Sequence, residues 1–152
     1  MIKKLFITVL LLFTALPKTA VAAEPYYLAV AGAFPTVADG VAFGDLKTFW
    51  SGDAGALRGA TNNNAPPTLF VTADTQKHLS ALLGAPGQSA RVTVVEAKDL
   101  AAAVWEARPA SLAVVPFEQL DARLKVLAVD GLHLFDKHAD MSAYPLAVSA
   151  KA

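Results

Sequence analysis

Two short apolar runs in the second half of the sequence constrain its fold more than any other feature. Leu112–Val115 and Val126–Val129 lie on either side of a polar segment that Pro116 opens. Uninterrupted apolar runs of this length, bounded by turn residues, are typical of strands that are buried on both faces of a sheet. The segment between them, Pro116–Arg123, is predicted to contain a turn of helix, because proline suits the first helical position. Ser111–Gly131 as a whole therefore predicts two central strands of an α/β layer.

Segments with strand character alternate with helical patterns along the rest of the chain. Further strands are predicted at Tyr26–Gly32, Thr68–Val71, Arg91–Val95 and Tyr144–Val148. The helical patterns, which begin near Phe43, Thr72 and Leu100, place their apolar residues on one face of a helix. Strands that alternate with helices of about ten residues predict an α/β fold, a single three-layer lobe with a mixed, mostly parallel sheet.

The unit from Thr68 to Gly84 is the most clearly marked part of the chain. Thr72 follows the predicted strand, and its hydroxyl oxygen is suited to accept a free backbone N–H at the start of the next helix. Asp74 lies in the first turn of that helix, where a carboxylate suits the positive end of the helix dipole. Gly84 then ends the apolar stripe, so both ends of this helix are predicted.

The first 23 residues have the pattern of a secretory signal peptide. Lys3 and Lys4 precede an apolar run of 12 residues, Leu5–Leu16, and small residues follow around Ala22. The run is shorter than the ~18 residues expected of a membrane span, and an uncleaved N-terminal anchor is the alternative. Cleavage predicts that residues 24–152 form one domain outside the cytoplasm, periplasmic or secreted, with no membrane span.

The charge and the lack of cysteine limit the partners of the exported chain. Three lysines, Lys3, Lys4 and Lys18, are removed with the signal, which leaves 10 Lys and Arg against 13 Asp and Glu. A net charge of −3 without a basic stripe argues against nucleic-acid binding. Because the sequence has no Cys, its stability in an oxidising compartment must come from packing rather than from disulfides.

Few polar residues are arranged for chemistry. One loop combines residue types that bind metals: His133, Asp136, His138 and Asp140. Their spacing matches no common zinc pattern, so a solvated connection stands as the other interpretation. The sequence also has no nucleophile elbow, P-loop or dinucleotide-binding fingerprint. We therefore expect no enzymatic activity, no metal and no cofactor.

Three residues are candidate ligand contacts: Ser51, Thr72 and Asp74. If the chain has a ligand edge, we expect it at helix N-termini, because their free N–H groups suit anions. Thr72 and Asp74 lie at one such helix start, and Ser51 lies near an Asn-rich loop. That loop, within Ser51–Pro67, is interpreted either as a solvated connection or as a ligand-facing loop. Trp50 just before it is either a core residue or a stacking platform.

Several phrases of the sequence resemble extracytoplasmic proteins. Val41–Gly52 (VAFGDLKTFWSG) resembles a helix of type 2 periplasmic solute-binding proteins of the phosphate-binding kind. Three other phrases resemble the N-terminal, binding-protein-like region of capsule or poly-gamma-glutamate synthesis proteins of the CapA type: Leu69–Gly84, Leu112–Gly131 and Tyr144–Val148. The resemblance covers about Val41–Val148 and implies an extracytoplasmic α/β lobe like one lobe of a solute-binding protein.

The resemblance implies a non-enzymatic solute-binding or accessory module whose ligand is a small anionic solute or polymer. CapA-type proteins continue into a metallophosphatase-like domain that has no counterpart in this sequence, so no catalytic role is carried over. Solute-binding proteins close two lobes over a ligand, and the exported chain is long enough for about one. We therefore expect a missing second domain or a partner protein. The alternative function is a structural docking lobe for such a partner, without a small-molecule site.

Overall fold

The computed structural model describes residues 24–149, so the predicted signal peptide, residues 1–23, lies outside the described residues. The described part contains seven strands: β1 (Pro25–Ala33), β2 (Gly40–Val41), β3 (Thr68–Val71), β4 (Val92–Val94), β5 (Ser111–Pro116), β6 (Leu124–Val129) and β7 (Ala147–Ser149). It also contains three α-helices: α1 (Phe43–Trp50), α2 (Ala73–Leu83) and α3 (Ala97–Glu106). Short 3₁₀ turns occupy Arg58–Ala60, Phe117–Gln119 and Met141–Ala143.

The strands form one mixed sheet in the order β2-β6-β1-β5-β3-β4, and β7 also pairs with β1. β1 is antiparallel to β5, β6 and β7, while the pairs β2–β6, β3–β5 and β3–β4 are parallel. Six strands therefore run in one direction and β1 runs against them. The prediction of a mixed, mostly parallel α/β sheet is confirmed.

Helices cover both faces of this sheet. The chain moves outwards from β3 through α2 to β4, and then back across β3 through α3 to β5. Crossovers between parallel strands are right-handed, so this reversal of direction places α2 and α3 on opposite faces. α2 accordingly contributes Leu79 to one core cluster, and α3 contributes Leu100 and Val104 to the other.

The alternation of side chains along β1 shows how the two cores share one sheet. Leu28 and Val30 lie in the cluster that α1 and α2 cover, whereas Ala29 and Ala31 lie in the cluster that α3 covers. All four residues are completely buried. Both faces of the central strands are therefore buried, which explains why their sequences are continuous apolar runs. Trp50 is buried in the first core, where its indole N–H donates to the carbonyl of Gly84 at 2.7 Å.

Most predicted elements are present, and several differ in extent. β3 occupies the predicted range, but the edge strand β4 is shorter than Arg91–Val95. The segment after Pro116 forms a 3₁₀ turn, and Pro116 itself is the last residue of β5. The final strand begins only at Ala147, because Tyr144 follows a 3₁₀ turn and inserts its side chain into the core. Within residues 24–149 no helix has the length and apolar character needed to cross a membrane.

Candidate functional site

The six like-directed strands all end at the same side of the sheet, which we term the carboxyl edge. At this edge β3 leads into α2 and β4 leads into α3, so two helix N-termini lie there. β5 ends beside them and leads into the 3₁₀ turn at Phe117–Gln119. Ligands of open α/β sheets bind outside the carboxyl ends of the strands, which makes this edge the candidate site.

The start of α2 is capped as the sequence predicts. The Thr72 hydroxyl oxygen accepts a hydrogen bond from the backbone N–H of Thr75 at 3.2 Å. The same hydroxyl lies 3.0 Å from the hydroxyl oxygen of Thr75, which is completely buried. The cap uses only one of the free N–H groups of this helix start. The N–H groups of Ala73 and Asp74 take part in none of the hydrogen bonds found among the described residues.

The start of α3 has no side-chain cap. Glu96 occupies the cap position in an extended conformation, and its side chain makes no capping hydrogen bond. The backbone carbonyl of Glu96 accepts from the N–H of Asp99 at 3.0 Å. The N–H groups of Ala97 and Lys98 enter none of the hydrogen bonds of the described chain. A helix start of this kind carries partial positive charge from its uncompensated N–H groups.

Two shallow grooves lie between these helix starts and the end of β5. The first, which we term the lysine groove, has a volume of about 140 Å³ and includes Thr72, Ala97, Lys98, Leu100, Gln119 and Asp121 in its lining. The second, termed the acidic groove, has a volume of about 220 Å³ and includes Thr72, Asp74, Glu96, Ala97, Pro116 and Gln119. The two grooves share Thr72, Ala97 and Gln119, so they form one continuous depression along the carboxyl edge.

An ion pair modifies the charge of the lysine groove. Arg123 donates from Nε to Asp121 Oδ1 at 2.9 Å and from Nη2 to Oδ2 at 3.0 Å. The backbone N–H of Arg123 adds a third hydrogen bond to the same carboxylate at 2.9 Å. These hydrogen bonds lower the pKa of Asp121 to about 2, so the carboxylate is ionised and its charge is balanced by the guanidinium. Lys98 takes part in neither of the two ion pairs found among the described residues.

The start of β1 is attached to α2 on the same side of the sheet. The hydroxyl of Tyr26 is hydrogen-bonded to Nε2 of His78, and the two rings meet edge to face with centroids 5.4 Å apart. Burial raises the pKa of Tyr26, and the negative charges of Glu118 and Asp74 raise it further. Because His78 lies one helical turn after Asp74, this contact fixes the first half of α2 against β1.

The structure brings two of the three predicted contact residues together. Thr72 and Asp74 both line the acidic groove. Ser51 lies at the other end of α2, because Trp50 bonds to Gly84 there and its carbonyl accepts from the N–H of Gly87 at 2.8 Å. α2 has 11 residues and is therefore about 16 Å long. Ser51 itself donates its hydroxyl to the carbonyl of Thr48 at 2.8 Å, which closes the end of α1.

A larger concavity than these two grooves lies elsewhere on the carboxyl edge. It has a volume of about 580 Å³, lies at the ends of β2 and β6, and includes Asp39, Asp45 and Asp130 in its lining. Asp130 accepts a hydrogen bond from the N–H of Phe43 at 2.8 Å, and Asp39 pairs with Lys125 at 2.8 Å. Two of the three carboxylates thus have structural partners, and the acidic lining does not suit an anion.

The loop with metal-ligating residue types is held by local hydrogen bonds. Asp136 accepts from the backbone N–H of His138 at 2.9 Å, and Asp140 accepts from the N–H of Ser142 at 3.0 Å. His133 accepts from the N–H of Phe135 at 3.2 Å. Among residues 24–149 no group of three His, Cys, Asp or Glu side chains is placed to hold a metal ion. These contacts favour the interpretation of the loop as a solvated connection.

Two lining residues that sequence reasoning missed are Lys98 and Gln119. They belong to α3 and to the turn after β5, and neither stands in a motif for ligand binding. They come together only because β4 and β5 flank β3 in the sheet. The sequence predicts this helix to begin near Leu100, after Lys98, whereas it begins at Ala97, and the proximity of Lys98 to Thr72 depends on strand order.

Comparison with known proteins finds similarity at the level of structure. No protein-family model matches the sequence. No curated protein matches it either. An ABC-type phosphate transport receptor from Vibrio cholerae is similar in structure, with a TM-score of 0.65 and 12% sequence identity over 83% of this chain and 55% of that chain.

Two further solved structures are similar. A protein from Clostridium perfringens, described as a phosphate ABC transporter substrate-binding protein with bound phosphate, has a TM-score of 0.55 and 14% identity over 74% of this chain and 49% of that chain. A protein from Planctomyces limnophilus, described as phosphate-binding, has a TM-score of 0.55 and 14% identity over 71% of this chain and 43% of that chain.

These similarities define the fold. The chain spans about half the length of each of the three proteins that it matches. The predicted α/β lobe, resembling one lobe of a periplasmic solute-binding protein, is therefore confirmed.

Proposed function

We propose that this protein is an exported, non-enzymatic solute-binding lobe that captures a small oxyanion of the phosphate type at its carboxyl edge. The observation that carries the proposal is the meeting of two helix N-termini, those of α2 and α3, at one continuous depression. The fold supports it, because three proteins that share the fold are described as receptors or binding proteins for phosphate.

The chemistry of the depression suits an oxyanion. The helix starts offer the N–H groups of Ala73, Asp74, Ala97 and Lys98. Backbone N–H groups at helix N-termini bind phosphate and sulfate because donors and dipole act in the same direction. Gln119 lines both grooves and adds an amide that can donate to an anion oxygen. Thr72 holds the first turn of α2 in place, and Asp74 lines the acidic groove.

The proposed location is extracytoplasmic. Two of the three similar proteins are described as parts of ABC transporters, one as a receptor and one as a substrate-binding protein. Such proteins work outside the cytoplasm, and residues 1–23 of this sequence have the pattern of a signal peptide. The finer proposal, a link to capsule or poly-gamma-glutamate synthesis, is supported by the sequence phrases Leu112–Gly131 and Tyr144–Val148. The carboxylates of such a polymer are anionic and suit the same N–H donors.

We propose that a second wall of the depression comes from a further domain or a partner protein. The similar solute-binding proteins are about twice as long as the part that this chain matches. Solute-binding proteins enclose their ligand between two lobes, and ligand sites occur preferentially between domains. The lobe described here then supplies one wall, with α2 and α3 directed at the ligand.

Isothermal titration of the purified protein tests the proposal directly. Inorganic phosphate, sulfate and a short glutamate oligomer are titrated separately at low salt. We expect saturable heat with at least one of them, and a folded protein that gives no heat with any of them contradicts the proposal.

The variant Ala97→Pro sharpens this test, because proline is tolerated at the first helical position but has no N–H to donate. It is expected to weaken anion binding without unfolding α3, since Glu96 before it already has the extended conformation that a following proline requires. A proline in the interior of a helix, such as Ala81→Pro in α2, would break that helix and cannot serve as a control. Lys77→Gln, on the surface of α2, is therefore used as the control variant. A binding curve that is unchanged in Ala97→Pro contradicts the use of the α3 start.

The second candidate function, docking on a partner protein, is favoured by two exposed apolar residues on one loop. Phe34 and Val37 are 68% and 77% exposed, and the loop that carries them is fixed by Lys125 and Asn62. An apolar pair held in place at the surface is a feature of interaction sites. Sedimentation of the protein and of Phe34→Ser tests this function. A loss of self-association or partner binding in Phe34→Ser supports it, and identical sedimentation of both proteins as monomers counts against it.

A further inference from the structure

The two grooves of the carboxyl edge carry opposite charge. The acidic groove is lined by the carboxylates of Asp74 and Glu96 and by no Lys or Arg. The lysine groove is lined by Lys98 and Asp121. A formal count therefore gives the acidic groove two negative charges, and gives the lysine groove one charge of each sign. By this count alone neither groove attracts an anion.

The ion pair next to the lysine groove changes this balance. Both carboxylate oxygens of Asp121 are occupied by the guanidinium of Arg123, at 2.9 and 3.0 Å. Bidentate pairs of this kind fix the two groups in one geometry. Arg123 lines neither groove, so its positive charge cancels that of Asp121 from outside the depression. The lysine groove is left with the charge of Lys98.

The start of α3 adds to this positive charge. Ala97 lines both grooves, and its N–H and that of Lys98 have no side-chain cap beside them. At the start of α2 the Thr72 hydroxyl occupies the N–H of Thr75, while the N–H groups of Ala73 and Asp74 enter no hydrogen bond found among the described residues, as at the start of α3. Both grooves therefore offer helix N–H groups, and they differ in their charged lining: the lysine groove adds Lys98, whereas the acidic groove adds Asp74 and Glu96.

We infer, on the basis of the proposed function, that the oxyanion occupies the lysine groove with Lys98 as its charged partner, and that Arg123 keeps this groove positive by neutralising Asp121. Arg123 is thus a positioning residue that acts through Asp121 without touching the ligand. Asp74 and Glu96 direct the anion away from the acidic groove by repulsion. The ligand class is a small oxyanion with at least two oxygens, one for the helix N–H groups and one for the ammonium.

The first arm of the test removes the charged partner. Titration with inorganic phosphate at low salt is expected to show about tenfold weaker binding for Lys98→Gln, the loss of one charge-assisted hydrogen bond. Lys77→Gln removes the same charge from α2 outside both grooves and is expected to bind like the unaltered protein. If Lys98→Gln binds phosphate as well as Lys77→Gln does, the inference is overturned.

The second arm separates the charge of Arg123 from any structural role. Arg123→Gln exposes the charge of Asp121 and is expected to weaken phosphate binding several-fold. The double variant Asp121→Asn with Arg123→Gln removes both charges and is expected to restore binding, because the net charge of the groove is again that of Lys98. Weak binding that persists in the double variant, with an unchanged unfolding midpoint, overturns the role of Arg123.

The two proposals fail in different ways. If the unaltered protein binds no oxyanion at all, both the proposed function and the inference fail. If the unaltered protein binds phosphate but Lys98→Gln has no effect, only the inference fails. Asp74→Asn adds an independent check, since repulsion predicts equal or tighter phosphate binding in this variant, and loss of binding places the anion in the acidic groove instead.

Discussion

At the scale of single residues, Tyr144 shows how a buried hydroxyl completes the sheet. Its O–H donates to the backbone carbonyl of Leu28 at 2.9 Å, and both residues are almost completely buried. Tyr144→Phe keeps the ring but leaves this carbonyl without its donor, so we expect a loss of about 1–2 kcal/mol in the free energy of unfolding. Urea unfolding followed by circular dichroism measures it.

Tyr27→Phe is the matched control for this prediction. The Tyr27 ring packs edge to face against Tyr144 with centroids 5.8 Å apart, but its hydroxyl takes part in none of the hydrogen bonds among the described residues. We expect this variant to unfold at nearly the same urea concentration as the unaltered protein. Equal losses in the two variants contradict a special role for the hydroxyl of Tyr144.

The same hydroxyl makes the free energy of unfolding depend on pH in the alkaline range. Burial raises the pKa of Tyr144 above its usual value near 10. Because the folded state holds this proton more tightly than the unfolded state, the stabilisation is complete below pH 10 and is lost as the pH rises above 10. The expected slope is about 1.4 kcal/mol per pH unit. Unfolding measured from about pH 9 to about pH 11 checks it. Tyr144→Phe should lack this part of the slope, while Tyr26, whose pKa is also raised, still contributes.

Gly87 is required by a close approach of two backbones. A Cβ atom at this position lies 2.1 Å from the carbonyl oxygen of Ser51, so the turn after α2 or the end of α1 has to move. Gly87→Ala is expected to destabilise the protein by about 1–3 kcal/mol. Gly44→Ala is the matched control, because nothing lies within 4 Å of its Cβ position and alanine favours the helix. Thermal unfolding compares the two, and an equal effect contradicts the argument.

At the scale of elements, the helix starts predict opposite effects of cap variants. Thr72→Ala removes the cap of α2 and is expected to cost about 1 kcal/mol. Glu96→Ser supplies a side-chain acceptor at the uncapped start of α3 and is expected to raise stability by up to about 1 kcal/mol. Thermal unfolding midpoints measure both. A loss of stability in Glu96→Ser means that the backbone N–H groups at the start of α3 already have hydrogen-bond partners in solution.

The sequence predicted elements best where local chemistry decides them. β3 and the start of α2 follow from a short apolar run and the hydroxyl of Thr72, and both are found where predicted. The final strand was predicted too early. Tyr144 has strand propensity, but its side chain packs into the core. Its hydroxyl donates there to the carbonyl of Leu28 in β1, which is far from Tyr144 in the sequence. Tertiary contacts of this kind leave no trace in a local pattern.

At the scale of the whole molecule, the sequence predicted the layers but only part of the candidate site. The alternation of strands and helices is enough to predict an α/β lobe, because apolar runs on both faces require helices on both sides. The candidate site depends on which strands are neighbours. Thr72, Lys98 and Gln119 meet only because β3 lies between β4 and β5. Ser51 was named as a candidate contact because it lies near the Asn-rich loop, but it lies at the opposite end of α2 from Thr72.

The whole chain, finally, is expected to be shortened on export. Small residues at Ala20, Ala22 and Ala23 suit a signal peptidase, and the apolar run before them is shorter than a membrane span. Expression in a bacterial host should therefore yield a periplasmic protein whose mass corresponds to a start at Ala23 or Glu24. Mass spectrometry of the osmotic-shock fraction measures this.

Replacing Ala22 and Ala23 by Arg should block cleavage and leave the full-length chain with the membrane fraction. An unaltered chain that keeps Met1 and stays with the membrane contradicts cleavage and supports the anchor.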